Sequence, residues 1–130
     1  MEFSLSSEQE MIIDSVRSFV EQELYPHEDE VEKTNHIDAS LAESIKQKAI
    51  NLGLYATNMP VEHGGGGLDT LTLCLLEKEL GKANFGLQYI VARPSNILLA
   101  CKDEQIDKYL IPTIRGEKVD CLAMTEPNAG

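Results

Sequence analysis

Apolar residues recur along most of this chain at intervals of three and four, the spacing that lines side chains along one face of an α-helix. Ile12, Val16, Phe19, Val20 and Leu24 make the first stripe, and Leu5 and Ile13 widen it. Ser6 and Ser7 stand just before it, with Gln9 and Glu10 three residues on, the arrangement of a capping box. Pro26 interrupts the stripe. It fits the first turn of a further, acidic helical stretch to Thr34, because a proline there loses no N–H that the helix uses. Thr34-Asn35-His36 then predicts a break.

A second apolar stripe, Leu41, Ile45, Ala49 and Leu52, predicts a helix from about Asp38 to Leu52, closed by Gly53 as a C-terminal glycine. A third helix is predicted from about Asp69 to Lys82. Leu71, Leu73, Cys74, Leu75, Leu76 and Leu80 make it apolar on much of its circumference, which predicts a central place in the core, with Glu77, Lys78 and Glu79 on its exposed arc. A fourth runs from about Phe85 to Cys101, and Pro94 in its middle predicts a kink or a break. A fifth starts near Asp103, carries Ile106, Tyr109, Leu110 and Ile114 on one side, is bent or shortened by Pro112 and ends at Gly116. Lys118 to Met124 has an extended, apolar look, and a turn-rich Thr-Glu-Pro-Asn-Ala-Gly follows. A lone strand cannot satisfy its own backbone groups, so this pattern predicts a strand whose partners lie in further sequence.

Between the second and third helices stands Gly64-Gly65-Gly66-Gly67. A phosphate loop would need Lys-Ser/Thr after the glycines, and a dinucleotide turn would need a strand before them. Both are missing, so the run reads as a turn that uses positive φ angles.

Charge narrows the partners. The 130 residues carry 11 basic and 22 acidic side chains, a formal charge of -11. Nucleic acid and anionic membrane surfaces are thereby disfavoured, since both need clustered Lys and Arg. No apolar stretch approaches the about 18 residues of a membrane span. The chain opens without a basic n-region or apolar h-region, which predicts the cytoplasm, with an organellar matrix as the alternative. Cys74, Cys101 and Cys121 fit neither a disulfide framework nor a CxxC site and read as buried, reduced thiols. His27, His36 and His63 form no HxxxH or HxH pair, so no metal site is expected. Read from chemistry alone, the chain has no catalytic constellation: no nucleophile elbow, no paired His and Cys, no metal cluster.

Three blocks carry a resemblance. Met59-Pro60-Val61-Glu62-His63-Gly64-Gly65-Gly66-Gly67-Leu68 is similar to a Pro-x-Glu-x-Gly-Gly-x-Gly turn. Glu104-Gln105, Lys108-Tyr109-Leu110 and Gly116-Glu117 match an "EEQ…KYL…GE" helix. Ala123-Met124-Thr125-Glu126-Pro127-Asn128-Ala129-Gly130 matches a "TEPxAGSD" signature, the most specific of the three. In this order and spacing they resemble the N-terminal region of the acyl-CoA dehydrogenase family, over essentially the whole chain.

The resemblance implies an all-α fold of five to six helices in a bundle-like N-terminal domain over residues 1–117. Residues 118–130 would open a middle β-domain with a short strand. It implies a flavoprotein using FAD to oxidise an acyl-CoA thioester to the 2,3-enoyl-CoA. The glutamate base would stand in a C-terminal bundle, so no residue here is expected to be catalytic. An electron-transfer flavoprotein or similar acceptor would take the electrons, and the full-length protein would be a homo-oligomer. Leu122, Ala123, Met124, Thr125 and Gly130 match positions that meet the flavin. Backbone N–H groups and the Thr125 hydroxyl there can stabilise negative charge on the reduced ring. The fourth helix matches the wall of the acyl pocket, with Gln88, Ala92 and Asn96 as lining candidates. Arg93 reads as a solvent-facing charge or as a partner for a polar acyl tail. Two other readings stand beside this one: a helical interaction module without cofactor, and a relative with oxidase or monooxygenase chemistry.

Overall fold

The computed structural model describes residues 4–91, 93–121, 123 and 125–128. The first stripe forms α1, Ser7–Phe19. Ser6 caps it: its hydroxyl accepts from the Gln9 N–H, and the Gln9 side chain accepts from the Ser6 N–H, so two otherwise unused donors are satisfied reciprocally. The helix does not stop at Pro26. It widens into a π-turn, Val20–Leu24, and continues as α2, Tyr25–Thr34. The cause is local. A proline lacks an N–H and its ring collides with the carbonyl one turn back, and an i→i−5 bond, here from the Tyr25 N–H to the Val20 carbonyl, makes room. The same device recurs near the other end. A π-turn at Ile106–Leu110, closed by an Ile111 N–H to Ile106 bond, precedes Pro112 and leads into α6, Ile111–Ile114. Asn35, in the left-handed region at φ 49°, ends α2 where the break was expected.

The second stripe gives α3, Ala39–Asn51. It closes as a Schellman turn: Gly53, at φ 70°, donates to Ile50 and Leu54 donates to Ala49. That reversal corrects the expected stripe. Leu52, the C-cap, stands before the reversal and is exposed, while Leu54 after it is carried back into the core.

The third helix, α4, spans Thr70–Leu80, with the Asp69 carboxylate accepting from the N–H groups of Leu71 and Thr72. Here the sequence misleads twice. Only the Thr72–Leu76–Glu79–Leu80 face is buried, against α1, while Leu71 and Cys74 are exposed, so the helix is not apolar-enclosed on most of its circumference. Glu79, expected in solvent, is buried. Its carboxylate takes the Lys82 ammonium at 2.6 Å and the Arg17 guanidinium at 3.3 Å, tying α4 to α1. Pairing is what lets a carboxylate be buried at all.

The fourth helix breaks, as its proline demands. α5 covers Phe85–Ile90, and after Pro94 the chain resumes as a 3-10 turn, Asn96–Ala100. Leu87 and Val91 are buried; Ile97 and Leu99 are exposed.

Two apolar clusters result. The larger joins α1 to α5 around Val16, Phe19, Leu24, Ile45, Ala49, Leu76, Leu80 and Leu87. The smaller, Ala56, Met59, Leu110 and Ile114, fixes the loop after α3 against the last helix. Each fully buried Leu contributes about 1.5–3 kcal/mol of transfer free energy. Among the described residues there is no strand. Beyond Lys118 the described residues carry a single bridge, at Glu126, and Leu122 and Met124 of the expected strand lie outside the described residues. The cysteines also differ from expectation: all three are free, but Cys74 and Cys121 are exposed and Cys101 is half-buried. Among the described residues no helix is long and apolar enough to cross a membrane, and among them no group of three or more His, Cys, Asp or Glu could hold a metal.

Candidate functional site

The four-glycine loop is closed on itself. The N–H of Gly64 donates to Val61, Gly65 to Pro60, Gly66 to Ala56, Gly67 to Met59 and Leu68 to Thr57, at 2.8–3.1 Å. A phosphate cradle works by offering such donors to an anion, and here all five are spent internally. Gly64 and Gly67 adopt positive φ. Gly65 is required for a different reason, because a Cβ there would lie 2.2 Å from the Met59 carbonyl oxygen. The loop's work is structural: it packs the backbone of Thr57–Met59 tightly enough to place Asn58 beside the α5 break.

At that break the Asn58 side-chain nitrogen donates to the Pro94 carbonyl at 2.8 Å and to Asn96 Oδ1 at 2.7 Å. The Pro94 ring is fully buried. Gln88 is half-buried on α5 and Asn96 is exposed on the following 3-10 turn. The break separates them, so they do not share one helical face. Ala92 lies outside the described residues.

A cleft of about 450 Å³ lies between α3, the end of α5 and the C-terminal segment. Ala39, Ala42, Ile90 and Val119 make much of its wall, and Tyr55 and Tyr89 bring phenols to it. Its cations are already engaged: Lys46 with Glu43 at 2.8 Å, Arg93 with Glu77 at 3.2 Å. Arg93 thus has a protein partner besides solvent. The hydrogen bond from Lys46, and then that from Gln47, hold the Glu43 carboxyl below the usual range. Burial first, and the Asp120 charge second, push the Tyr55 phenol up from 10.0. Asp120 also accepts from the Ser95 N–H at 3.1 Å, which pins the C-terminal segment to the α5 break. The periodicity of the sequence gave no sign of Tyr55, Ser95 or Asp120, since they come from three irregular stretches far apart in the chain. Gln88 and Asn96 do not line this cleft.

Beyond Cys121 the chain reaches the segment matched to flavin. Ala123 and Thr125 are exposed, and the Thr125 hydroxyl has no hydrogen-bond partner among the described residues. Leu122, Met124 and Gly130 lie outside the described residues.

Comparisons with known proteins agree on one family. The family model described as acyl-CoA dehydrogenase, N-terminal domain, matches residues 6–117. A 3-(aryl)acrylate reductase of Clostridium sporogenes is 36% identical over 96% of this chain and 33% of its own length. The short-chain-specific acyl-CoA dehydrogenase of Clostridium acetobutylicum is 31% identical over 100% of this chain and 35% of its own. The chain therefore spans about a third of the length of the curated relatives it matches. Among solved structures, a chain from the electron transferring flavoprotein work on Acidaminococcus fermentans superposes with a TM-score of 0.79 at 32% identity, covering 100% of this chain and 34% of that one. The acyl-CoA dehydrogenase of Geobacillus kaustophilus gives 0.73 at 27% identity with the same coverage.

Proposed function

Because this chain belongs to the acyl-CoA dehydrogenase family, matching its N-terminal domain, we propose that it supplies the helical part of an FAD-dependent enzyme that oxidises an acyl-CoA thioester to the 2,3-enoyl-CoA. The observation that carries the reading is the family match over residues 6–117, followed a few residues on by the exposed Ala123 and Thr125. In this reading residues 1–117 are the helical domain and 118–130 open the flavin-binding one. FAD, when bound, supplies the hydride acceptor. This chain's share is to bind and orient. Ala123 and Thr125, with Leu122, Met124 and Gly130, would hold the ring, and Gln88, Ala92 and Asn96 would wall the acyl group. In this reading the glutamate base stands in a C-terminal bundle, so these 130 residues by themselves are expected to have no dehydrogenase activity.

An electron-transfer flavoprotein or similar acceptor, a homo-oligomeric full-length protein and a cytoplasmic location complete the proposal. The test is on full-length protein. It should be yellow, and its flavin absorbance should bleach when an acyl-CoA is added without oxygen. A colourless protein that takes up no flavin would overturn the reading. A second reading is favoured by relatives named as reductases, among them the acryloyl-CoA reductase (NADH) of Anaerotignum propionicum, 34% identical. The same machinery would then run toward reduction of an α,β-unsaturated acyl group. Reoxidation of the pre-reduced flavin by an enoyl-CoA, with no bleaching by the saturated one, would decide for it.

A further inference from the structure

We propose that the cleft between α3, the end of α5 and the C-terminal segment seats an aromatic ring at the far end of the acyl group, with Tyr89 stacking on that ring and Phe85 holding Tyr89 in place. This deepens the acyl-CoA reading above and rests on it.

α5 is apolar on two sides, and the core uses only one. Leu87 and Val91 are buried, whereas Phe85 and Tyr89, one turn apart, stay 74% and 59% exposed. Their rings meet with centroids 6.0 Å apart and planes inclined by 38°, so each restricts the other. Tyr89 forms part of the cleft wall, and Tyr55, from the loop after α3, brings a second ring to it. Ala39 and Ala42, three residues apart on α3, leave the space open, because a larger side chain at either would project into it. A volume of about 450 Å³ is that of a small-molecule site, and such sites are mostly apolar.

Charge selects further. Glu43, Lys46, Arg93 and Asp120 line the cleft, two of each sign. Each is already engaged: Lys46 with Glu43, Arg93 with Glu77, and Asp120 with the Ser95 N–H. The cleft therefore asks for no counter-ion and suits an uncharged group, while a carboxylate tail would have to displace one of these pairs. Between a ring and a straight chain of similar area, the ring gains the oriented contact with other rings, worth about two- to tenfold in affinity beyond its area. The cleft also lies where an acyl tail would reach. Cys121 lines it and stands four residues before Thr125, so the chain keeps it within about 14 Å of the segment read as flavin-binding.

The experiment uses the full-length flavoprotein with phenylpropanoyl-CoA and heptanoyl-CoA, or with cinnamoyl-CoA and heptenoyl-CoA where the enzyme runs toward reduction. The measurements are kcat/KM for each, the calorimetric Kd of each, and the melting temperature. Wild-type enzyme should favour the aromatic thioester. Y89L keeps an apolar side chain but removes the ring; the aromatic-to-straight-chain ratio should fall about two- to tenfold, and Kd for the aromatic thioester should rise by a similar factor. Y89F should keep the wild-type ratio, and F85L should lose part of it. Ala42→Phe, which narrows the cleft without touching Tyr89, should lower kcat/KM for the aromatic thioester more than for the straight one. Wild-type enzyme without the aromatic preference, or Y89L with an unchanged ratio, overturns this proposal and leaves the acyl-CoA reading standing. So does a Y89L protein that melts lower and loses both thioesters alike, since that result means another part of the polypeptide covers this face. A full-length protein that takes up no flavin, or whose flavin neither bleaches with any acyl-CoA nor reoxidises with any enoyl-CoA, overturns the reading itself.

Discussion

Alanine at Gly65 and alanine at Gly53 separate two reasons for a glycine. At Gly53 the backbone sits at φ 70° and a Cβ would meet nothing within 4 Å. The only cost of Gly53→Ala is the left-handed conformation itself, about 1–2 kcal/mol. At Gly65 the added Cβ would stand 2.2 Å from the Met59 carbonyl oxygen and 2.4 Å from its carbon, well inside the 3.4 Å where ordinary contact begins. Backbone must move by about 1 Å to relieve this. That carbonyl accepts from the Gly67 N–H at 2.8 Å, and the Met59 side chain is 0% exposed. Losing the buried bond costs about 1–3 kcal/mol. Displacing a packed core side chain adds about 1–3 kcal/mol. Gly65→Ala should therefore cost about 2–6 kcal/mol, more than Gly53→Ala. Urea unfolding followed by circular dichroism measures both, with a fall in midpoint and an unchanged slope as the expected signature. A Gly65→Ala protein as stable as Gly53→Ala would refute the close-approach argument and reopen a ligand-binding role for the loop.

Further outcomes follow from single contacts. Glu79→Gln should destabilise by about 1 kcal/mol, since the buried carboxylate's partners, Arg17 and Lys82, are both half-exposed and screened. The Glu79 carboxyl is held below 4.5, first by Lys82. Its contribution is thus full above the unfolded value and is lost as pH falls through the folded one, and the substitution should flatten the acid limb of a melting-temperature profile. Leu87→Ala removes a side chain with 0% exposure and should cost about 2–5 kcal/mol by denaturant titration. Tyr55 should ionise above the ordinary phenol value of 10.0 in an ultraviolet titration. Asp120→Asn should bring it partway back, with burial holding the rest. Thr125→Ala in the full-length protein should weaken flavin retention on dialysis without lowering the melting temperature of the apoprotein; undiminished retention would remove Thr125 from the cofactor site.

Much of the fold was legible in the chain because its signals are local. The Ser6–Gln9 box, the Gly53 reversal and the Pro94 break each act within one helical turn, and all stand where the sequence predicts them. The three motif blocks also pointed to the family before any coordinates. What the sequence could not decide depends on which face of an element meets which neighbour. The leucines of α4 are spread around the helix, and only packing on α1 chose the Thr72–Leu76–Glu79 side and left Leu71 in water. Glu79 became a buried residue because two cations from different turns converge on it. The two π-turns were hidden because a proline announces a disturbance but not its form. Whether the helix breaks, as at Pro94, or widens, as before Pro26 and Pro112, depends on whether core contacts hold both sides in line. The pairing of Asn58 with Asn96 joins residues 38 positions apart. Such a contact has no period and no motif. It exists only once the glycine loop has folded against the stump of the broken helix.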